Sequence, residues 1–196
     1  EFIPIAEKTD LIHRIGAWVL ARALRDWPEL RGLCTADPGS SAFMSINLSA
    51  PELCRPGIVA QVEASLKAAG MAPQELRIEL TETVIISQVD VVSDVVQRLR
   101  NMGVGVALDD FGKGYGGLDY LQSLPFSCLK VDKSFVDNMQ TSERSHQIIR
   151  STLDLARMFG MSTVAEGIED QASADLLKEL GCAYAQGYFF GKPMQV

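Results

Sequence analysis

The sequence predicts an α/β protein whose strands lie mostly parallel, and two observations support that fold class. Short runs of mainly apolar residues alternate with longer segments in which apolar residues recur every three or four positions. Glycine also stands just after most of these longer segments, where helices commonly end. Strands that alternate with helices form parallel sheets, because each parallel pair needs a long crossover connection.

The elements follow one another in a regular order. An apolar stripe predicts a first helix over 11–27 that ends at Pro28, and a polar loop follows at 35–41. Six strands are then predicted, in the segments AFMSINLS, LRIELTE, VGVALDD, CLKVD, STVAEG and AYAQGY. Between them, apolar residues at helical spacing predict five helices, at 58–69, 91–102, 118–124, 148–159 and 176–180.

Polar residues at the strand ends distinguish between two architectures. An open doubly wound sheet is covered by helices on both faces, so both faces of its strands should be apolar. Here each strand has one apolar face and one face that ends in a polar residue; Met44 and Leu48, for example, oppose Asn47. We therefore predict a TIM-like β/α barrel, in which such residues gather at one mouth. Since these barrels have about eight strands, we expect the first strands to precede Glu1.

Composition and charge exclude several classes of protein. The 196 residues are 47% hydrophobic and 22% charged, as expected for one globular domain over 1–196. A net charge of −7 argues against binding of DNA or RNA polymers, which needs a basic face. We expect no signal peptide, and no apolar run approaches the ~20 residues of a membrane span. The four scattered cysteines predict reduced thiols rather than a zinc site, and hence a cytoplasmic protein or the cytoplasmic domain of a larger, membrane-bound protein.

The polar residues at the strand ends predict a site for divalent cations. They are Asn47, Glu79, Asp109, Lys130, Glu166 and Gln186, followed just beyond the strands by Glu82, Asp110, Asp132 and Glu169. Carboxylate and amide oxygens are ligands for Mg²⁺ or Mn²⁺ rather than for zinc. Two adjacent aspartates can serve two cations, which together stabilise the attacking and leaving oxygens of a phosphoryl displacement. Lys130 would orient the water molecule or hold a phosphate.

Each of these features also has a simpler structural interpretation. The paired aspartates could cap the next helix, and Glu79 could form a buried ion pair with Lys130. Asn47 could satisfy a turn and Gln186 a loop carbonyl. Six polar residues in register at successive strand ends are hard to explain as caps, so the set as a whole favours the metal site.

Seven segments of the chain resemble the EAL domain, a family of bacterial cyclic di-GMP phosphodiesterases. They are EFIPIAEKTDLI, SINLSAPEL, LRIELTET, GVALDDFGKGYGGLDYL, LKVDKSFV, TVAEGIED and QGYFFGKPM, and they extend from one end of the chain to the other. The resemblance implies a β/α barrel that hydrolyses cyclic di-GMP to the linear dinucleotide pGpG with two Mg²⁺ or Mn²⁺ ions.

The resemblance also implies roles for individual residues. The implied metal ligands are Asn47, Glu79, Asp109, Asp110 and Glu166. The residues implied in catalysis or in its support are Lys130, Glu166, Glu82, Gln186 and Glu169, of which Glu82 would anchor the loop after Asp110. Pro193 would pack near a guanine base, and we assign Asp132 to substrate binding with it.

Two departures from the family pattern leave two functions open. The Glu-Ala-Leu motif with its following Arg-Trp pair would lie before Glu1, so we expect the domain to be incomplete at its N-terminus. The loop that usually reads D-D-F-G-T-G-Y-S-S-L carries Lys113, Gly116 and Gly117 instead. The chain is therefore expected to be either an active phosphodiesterase or a weak or inactive cyclic di-GMP receptor that acts through a partner protein. The resemblance further implies a homodimer, and fusion to or regulation by a sensor or cyclase domain outside this chain.

Overall fold

The structure, a computed structural model, describes residues 2–33, 42–112 and 119–194. These residues form two compact units. Unit 1 lies within Glu1–Leu80 and Val84–Val106, and unit 2 lies within Thr81–Thr83 and Ala107–Gln195. The polar loop predicted at 35–41 lies outside the described residues, as do Lys113, Gly116 and Gly117.

Unit 1 holds the first two strands, which pair in parallel. In the register of β1 (Met44–Asn47) and β2 (Leu76–Thr81), Ile46 lies opposite Ile78 and Asn47 opposite Glu79. The helices around them are α1 (Ile3–Ala6), α2 (Leu11–Leu33), α3 (Ala50–Leu53), α4 (Ile58–Ala69) and α6 (Val89–Met102), and a 3₁₀ turn at Pro73–Glu75 precedes β2. The apolar faces of these helices supply buried residues such as Leu24, Leu53, Val62, Val96 and Leu99, and β2 supplies the buried Leu76 and Ile78. Thr81–Thr83, where β2 ends and α5 (Glu82–Ser87) begins, belong to unit 2.

The predicted end of the first helix at Pro28 is wrong, because α2 continues through this proline to Leu33. A proline inside a helix removes one backbone donor and costs roughly 3 kcal/mol. Tertiary contacts offset that cost. Trp27 is buried, and Arg31 in the last turn forms an ion pair of 3.0 Å with Glu75, ahead of β2.

Unit 2 contains three strands and, from Ala107 onward, a fourth, and these strands pair in parallel in chain order. They are β3 (Gly105–Phe111), β4 (Cys128–Val131), β5 (Ser162–Ala165) and β6 (Tyr184–Ala185). The helices between them are α7 (Asp119–Ser123), α8 (Lys133–Val136), α9 (Glu143–Met158) and α10 (Gln171–Glu179). Buried residues pack into a core between the sheet and α8, α9 and α10, namely Val131, Val136, Met139, Ile149, Leu153, Ala165, Ile168 and Leu177.

The helix ends largely follow the sequence signals. Gly70 and Gly103 end α4 and α6 in the left-handed conformation, with φ of 64° and 99°, as the glycine pattern predicts. Asp132 and Asp170 cap α8 and α10, because their side chains accept hydrogen bonds from exposed backbone N–H groups of the first turn. The short helices α3, α5 and α8 were not predicted, since four to six residues are too few to show a helical period.

Within the described ranges, no helix combines the length and the apolar character needed to cross a membrane. The cysteines of these ranges, Cys54, Cys128 and Cys182, are free thiols.

Candidate active site

Lys130 lies at the centre of the polar residues of unit 2. It is the third residue of β4, a strand paired on both sides, and only 4% of its surface is exposed. Its Nζ lies 3.2 Å from Asp109 Oδ1 and 2.7 Å from Glu166 Oε1. Burying an ammonium group without counter-charge is costly, so the two carboxylates hold Lys130 in one place. The structure thus brings three predicted site residues into direct contact.

The position of Glu166 follows from the parallel pairing of β4 with β5. Its backbone N–H donates a hydrogen bond of 3.1 Å to the carbonyl of Val131, which extends the ladder beyond Ala165. The next residue, Gly167, has a φ of 71°, a conformation that favours glycine. The Glu166 side chain keeps 22% of its surface exposed and that of Asp109 keeps 13%, so both carboxylates remain accessible to a ligand.

Asp109 and Asp110 lie at a β-bulge. Leu108 is paired with Leu129 and Phe111 with Val131, so β3 contains one residue more than β4 between these pairs. Asp110 has a φ of 57°, and its backbone N–H donates a hydrogen bond of 2.9 Å to Asp109 Oδ1. The bulge breaks the alternation that would otherwise place neighbouring side chains on opposite faces of the strand.

Asn47 and Glu79 are brought together in unit 1. They lie opposite each other near the carboxyl ends of β1 and β2. The ladder continues one step further, because the N–H of Leu48 donates a hydrogen bond of 3.1 Å to the carbonyl of Glu79. Glu79 is buried, whereas Asn47 is exposed. Their role as metal ligands stays a prediction.

Glu82 forms a buried contact that was not predicted from the sequence. It is 4% exposed, and Tyr120 Oη donates a hydrogen bond of 2.9 Å to its Oε1. Burial, together with this hydrogen bond to a carboxylate, raises the pKa of Tyr120. Glu82 is predicted to anchor the loop after Asp110. Its partner Tyr120 lies on α7, the helix that follows this loop, and this contact is consistent with that role.

Asp132 and Glu169 form contacts with residues other than Lys130, namely a helix cap and a surface ion pair. Asp132 is buried and caps α8, where its carboxylate accepts hydrogen bonds from the backbone N–H of Ser134, at 2.9 Å, and from its hydroxyl. Glu169 is exposed and forms an ion pair with Lys133, and this contact raises the pKa of Lys133. Both residues have evident structural roles, and their predicted functional roles remain predictions.

Gln186 is held by its backbone rather than by its side chain. Its N–H donates a hydrogen bond of 2.8 Å to the carbonyl of Ala165, and its carbonyl accepts one of 3.0 Å from the N–H of Ile168. A Cβ added at Gly187 would collide with the Ile168 backbone, whose carbonyl carbon would lie 2.7 Å away. The chain after β6 thus lies tightly against the chain after β5. The exposed Gln186 side chain shares one surface recess with Glu166 and Glu169, and an adjoining recess with the exposed Pro193.

The donor types fit Mg²⁺ or Mn²⁺, which prefer carboxylate and amide oxygens. In unit 2, Asp109, Asp110 and Glu166 offer partly accessible carboxylates, and in unit 1 Glu79 and Asn47 offer a carboxylate and an amide. In the part of the chain that the structure describes, no three His, Cys, Asp or Glu side chains are grouped closely enough to hold a metal ion.

A comparison with protein families decides the assignment. The model of the EAL domain matches residues 1–193. The chain belongs to the EAL domain family. This confirms the resemblance inferred from its motifs.

Individual EAL proteins are similar over almost the entire chain. A protein of Pseudomonas aeruginosa named bifunctional diguanylate cyclase/cyclic di-GMP phosphodiesterase MucR is 36% identical over 198 aligned positions, and the match covers 99% of this chain and 28% of that protein. The oxygen sensor protein DosP of Escherichia coli is 36% identical over 193 residues, which cover 98% of this chain and 24% of DosP. The chain spans about a quarter of the length of such curated relatives.

Solved structures of EAL proteins confirm the predicted fold class, an α/β fold of the TIM-like β/α barrel type. The MucR phosphodiesterase in complex with c-di-GMP has a TM-score of 0.90 and 36% identity, and the match covers 100% of this chain and 77% of that one. The EAL enzyme Bd1971, in a form that binds cAMP and cyclic di-GMP, has a TM-score of 0.91 and 30% identity, and the match covers 99% of this chain and 52% of that one.

Proposed function

We propose that the protein hydrolyses one phosphodiester bond of cyclic di-GMP to give the linear dinucleotide pGpG, and that this activity depends on Mg²⁺ or Mn²⁺. The observation that carries the proposal is Lys130, a buried ammonium held between the carboxylates of Asp109 and Glu166 at the ends of three parallel strands. Membership of the EAL family and similarity to MucR, whose name states this activity, support the same substrate.

The geometry gives Lys130 a specific task. An ammonium held in place by two carboxylates is suited to stabilise a water molecule or a phosphate oxygen, because it does not first have to be ordered. Glu166, which is more exposed than Asp109, is suited to accept a proton from that water molecule. Bound divalent cations would lower the pKa of water and stabilise the charge that develops on the phosphate oxygens.

The other predicted residues receive proposed roles in the same scheme. Asn47 and Glu79 in unit 1, and Asp109, Asp110 and Glu166 in unit 2, are the proposed metal ligands. Glu82 fixes the start of α7 through Tyr120. Gln186 and Glu169 border the recess next to Glu166, while Asp132 and Pro193 are proposed to contact the nucleotide.

Incubation of the complete protein with cyclic di-GMP and either Mg²⁺ or Mn²⁺ tests the proposal. Chromatography should show pGpG accumulating at the expense of the cyclic dinucleotide, and a chelator should stop the reaction. Parallel calorimetry should show that the same preparation binds cyclic di-GMP. Binding without any pGpG in the presence of Mn²⁺ would contradict the enzymatic function.

A second candidate is a cyclic di-GMP receptor with little or no hydrolysis, which acts through a partner protein. The observation that favours it is the set of substitutions at Lys113, Gly116 and Gly117, since two additional glycines increase the freedom of the loop that follows the adjacent aspartates. If the complete protein binds without hydrolysis, changing these residues to Thr, Ser and Ser should restore turnover where the loop is at fault. If the changed protein still does not hydrolyse, the receptor function is correct.

We also propose a homodimer regulated by a sensor or cyclase domain outside this chain. The names of MucR and DosP, which pair similar segments with a cyclase and an oxygen sensor, support the regulatory part. Sedimentation of the complete protein with and without cyclic di-GMP measures the assembly. A cytoplasmic location is proposed on the basis of the free thiols of the described cysteines.

A further inference from the structure

Glu52 is a buried acid that the sequence did not single out. Only 6% of its surface is exposed, and it lies at the third position of α3, directly after β1. Its Oε2 accepts two hydrogen bonds from Ser49, one of 3.0 Å from the backbone N–H and a second from the hydroxyl. This capping box fixes the conformation of the chain between β1 and α3.

The Glu52 carboxylate occupies a notch in α2. A Cβ added at Gly16 would overlap the carboxylate oxygen Oε1 and would lie only 2.7 Å from Cδ. A glycine in the interior of a helix costs about 0.5–1 kcal/mol relative to alanine, so its presence calls for a packing reason. Here the reason is direct, because only glycine leaves room for the Glu52 side chain at this point of α2.

Asn47 lies immediately before the segment that Glu52 holds. On one side its backbone belongs to the ladder with β2, where Asn47 lies opposite Glu79 and the N–H of Leu48 donates to the Glu79 carbonyl. On the other side, two residues further on, the backbone of Ser49 is fixed by Glu52. The orientation of Asn47 therefore depends both on the pairing of β1 with β2 and on the hydrogen bonds between Ser49 and Glu52.

We propose that Glu52, seated in the notch at Gly16, is a positioning residue for Asn47 as a cation ligand. This inference rests on the proposed function, which assigns the ligand role to Asn47. Residues that orient a metal ligand without touching the metal typically contribute 10- to 100-fold to metal affinity. Loss of the hydrogen-bond acceptor at position 52 should therefore weaken Mn²⁺ binding by at least roughly tenfold.

Four variants of the complete protein separate positioning from packing. Glu52→Ala removes the acceptor, and Glu52→Gln retains an amide oxygen that can accept the same hydrogen bonds. Gly16→Ala fills the notch, and the double variant Gly16→Ala/Glu52→Ala fills it while removing the side chain that would collide. For each, the dissociation constant for Mn²⁺ is measured from free Mn²⁺ by electron paramagnetic resonance without cyclic di-GMP, and the Tm is measured by calorimetry.

The proposal predicts a different combination of Mn²⁺ dissociation constant and Tm for each kind of variant. Glu52→Ala raises the dissociation constant at least roughly tenfold, and Glu52→Gln changes it by less than about threefold. The double variant recovers the Tm lost in Gly16→Ala but keeps the raised dissociation constant. Glu75→Ala is the matched control, since Glu75 Oε2 also accepts a hydrogen bond, of 3.1 Å, from the backbone N–H three residues earlier, at Ala72, shortly before β2. This control should lower the Tm without changing Mn²⁺ binding.

The outcomes distinguish this inference from the proposed function. If Glu52→Ala binds Mn²⁺ as tightly as the unmodified protein, or if the double variant recovers affinity together with Tm, Glu52 serves packing alone and the inference is wrong. If the unmodified protein binds Mn²⁺ without hydrolysing cyclic di-GMP, the enzymatic function fails while the comparison of dissociation constants still decides the role of Glu52. An unmodified protein that does not bind Mn²⁺ overturns both.

Discussion

Replacing Lys130 with alanine removes the ammonium group that lies between the carboxylates of Asp109 and Glu166. Two consequences follow, one for stability and one for turnover. Without the lysine, two neighbouring negative charges face each other around a small cavity. The proposed reaction also loses the donor that holds its water molecule or phosphate.

The structure sets the magnitude of both effects. Removing one partner of a buried ion pair costs about 3–5 kcal/mol, because an uncompensated charge remains behind. Asp109 and Glu166 keep 13% and 22% of their side-chain surfaces exposed, so water can solvate them in part. We therefore expect a loss near the lower end, about 3 kcal/mol. Turnover should fall roughly 10²-fold or more, as is usual when a fixed acid–base or electrostatic group is removed.

The assay measures urea unfolding without and with Mn²⁺, together with the rate of pGpG formation. Mn²⁺ should restore part of the lost stability, because a cation can neutralise the exposed carboxylates, but it should not restore turnover. Lys130→Met retains most of the packing volume and should lose turnover to the same degree as the alanine variant. Lys178→Ala, which removes an exposed lysine from α10 of the same unit, is the control and should behave like the unmodified protein.

An unchanged turnover number in Lys130→Ala would refute the proposed role of the lysine in the reaction. An unchanged free energy of unfolding in the absence of metal would refute the ion pairs themselves as stabilising contacts. Lost turnover combined with unchanged stability would show that Lys130 acts on the substrate while contributing nothing net to the fold.

Three further changes have defined outcomes. Asp109→Asn should abolish hydrolysis and lower the free energy of unfolding by about 1–3 kcal/mol, since the buried lysine loses one charged partner; urea unfolding without metal checks this. Tyr120→Phe should cost about 1.5–3 kcal/mol through the lost hydrogen bond to Glu82. Because the pKa of Tyr120 is raised above its ordinary value of 10.0, the unmodified protein should lose stability as the pH rises above 10.0, and the phenylalanine variant should lack this component. Gly187→Ala should lower both Tm and kcat/KM by displacing the turn after β6, whereas Gly191→Ala, with no atom within 4 Å of the added Cβ, should change neither.

The fold was predictable because local signals and tertiary packing agree over most of the chain. The six strands lie where apolar runs predicted them, and glycine ends α4 and α6 as expected. The sequence signals gave a wrong helix end where tertiary packing outweighed the local effect of a proline. Pro28 predicted a helix end, but the buried Trp27 and the ion pair of Arg31 with Glu75 carry α2 beyond it.

The grouping of three candidate residues was predictable from the sequence, whereas other contacts near them were not. Side-chain alternation along each strand was sufficient to select Asp109, Lys130 and Glu166, since parallel pairing places the ends of neighbouring strands side by side. No local pattern links Glu82 to Tyr120, because 38 residues separate them and their hydrogen bond depends on how the chain folds back. Glu52 was missed for a related reason, since its partner in α2 is a glycine, which has no side chain to reveal the contact.

The bulge in β3 explains why two adjacent aspartates can stand at the end of a buried strand. In a regular strand they would point to opposite faces, and one of them would lie against the apolar side of the sheet. The additional residue in β3 removes that constraint, and it requires a residue that tolerates the left-handed conformation seen at Asp110, with φ of 57°. Aspartate is one of the few residues other than glycine that adopts this conformation readily. The repulsion between the two acids is offset locally, because Asp109 accepts hydrogen bonds from the Asp110 N–H and from the Lys130 ammonium. The two carboxylates therefore stand in different environments, one paired with Lys130 and one beyond the bulge, and this supports separate roles for them in the proposed two-cation site.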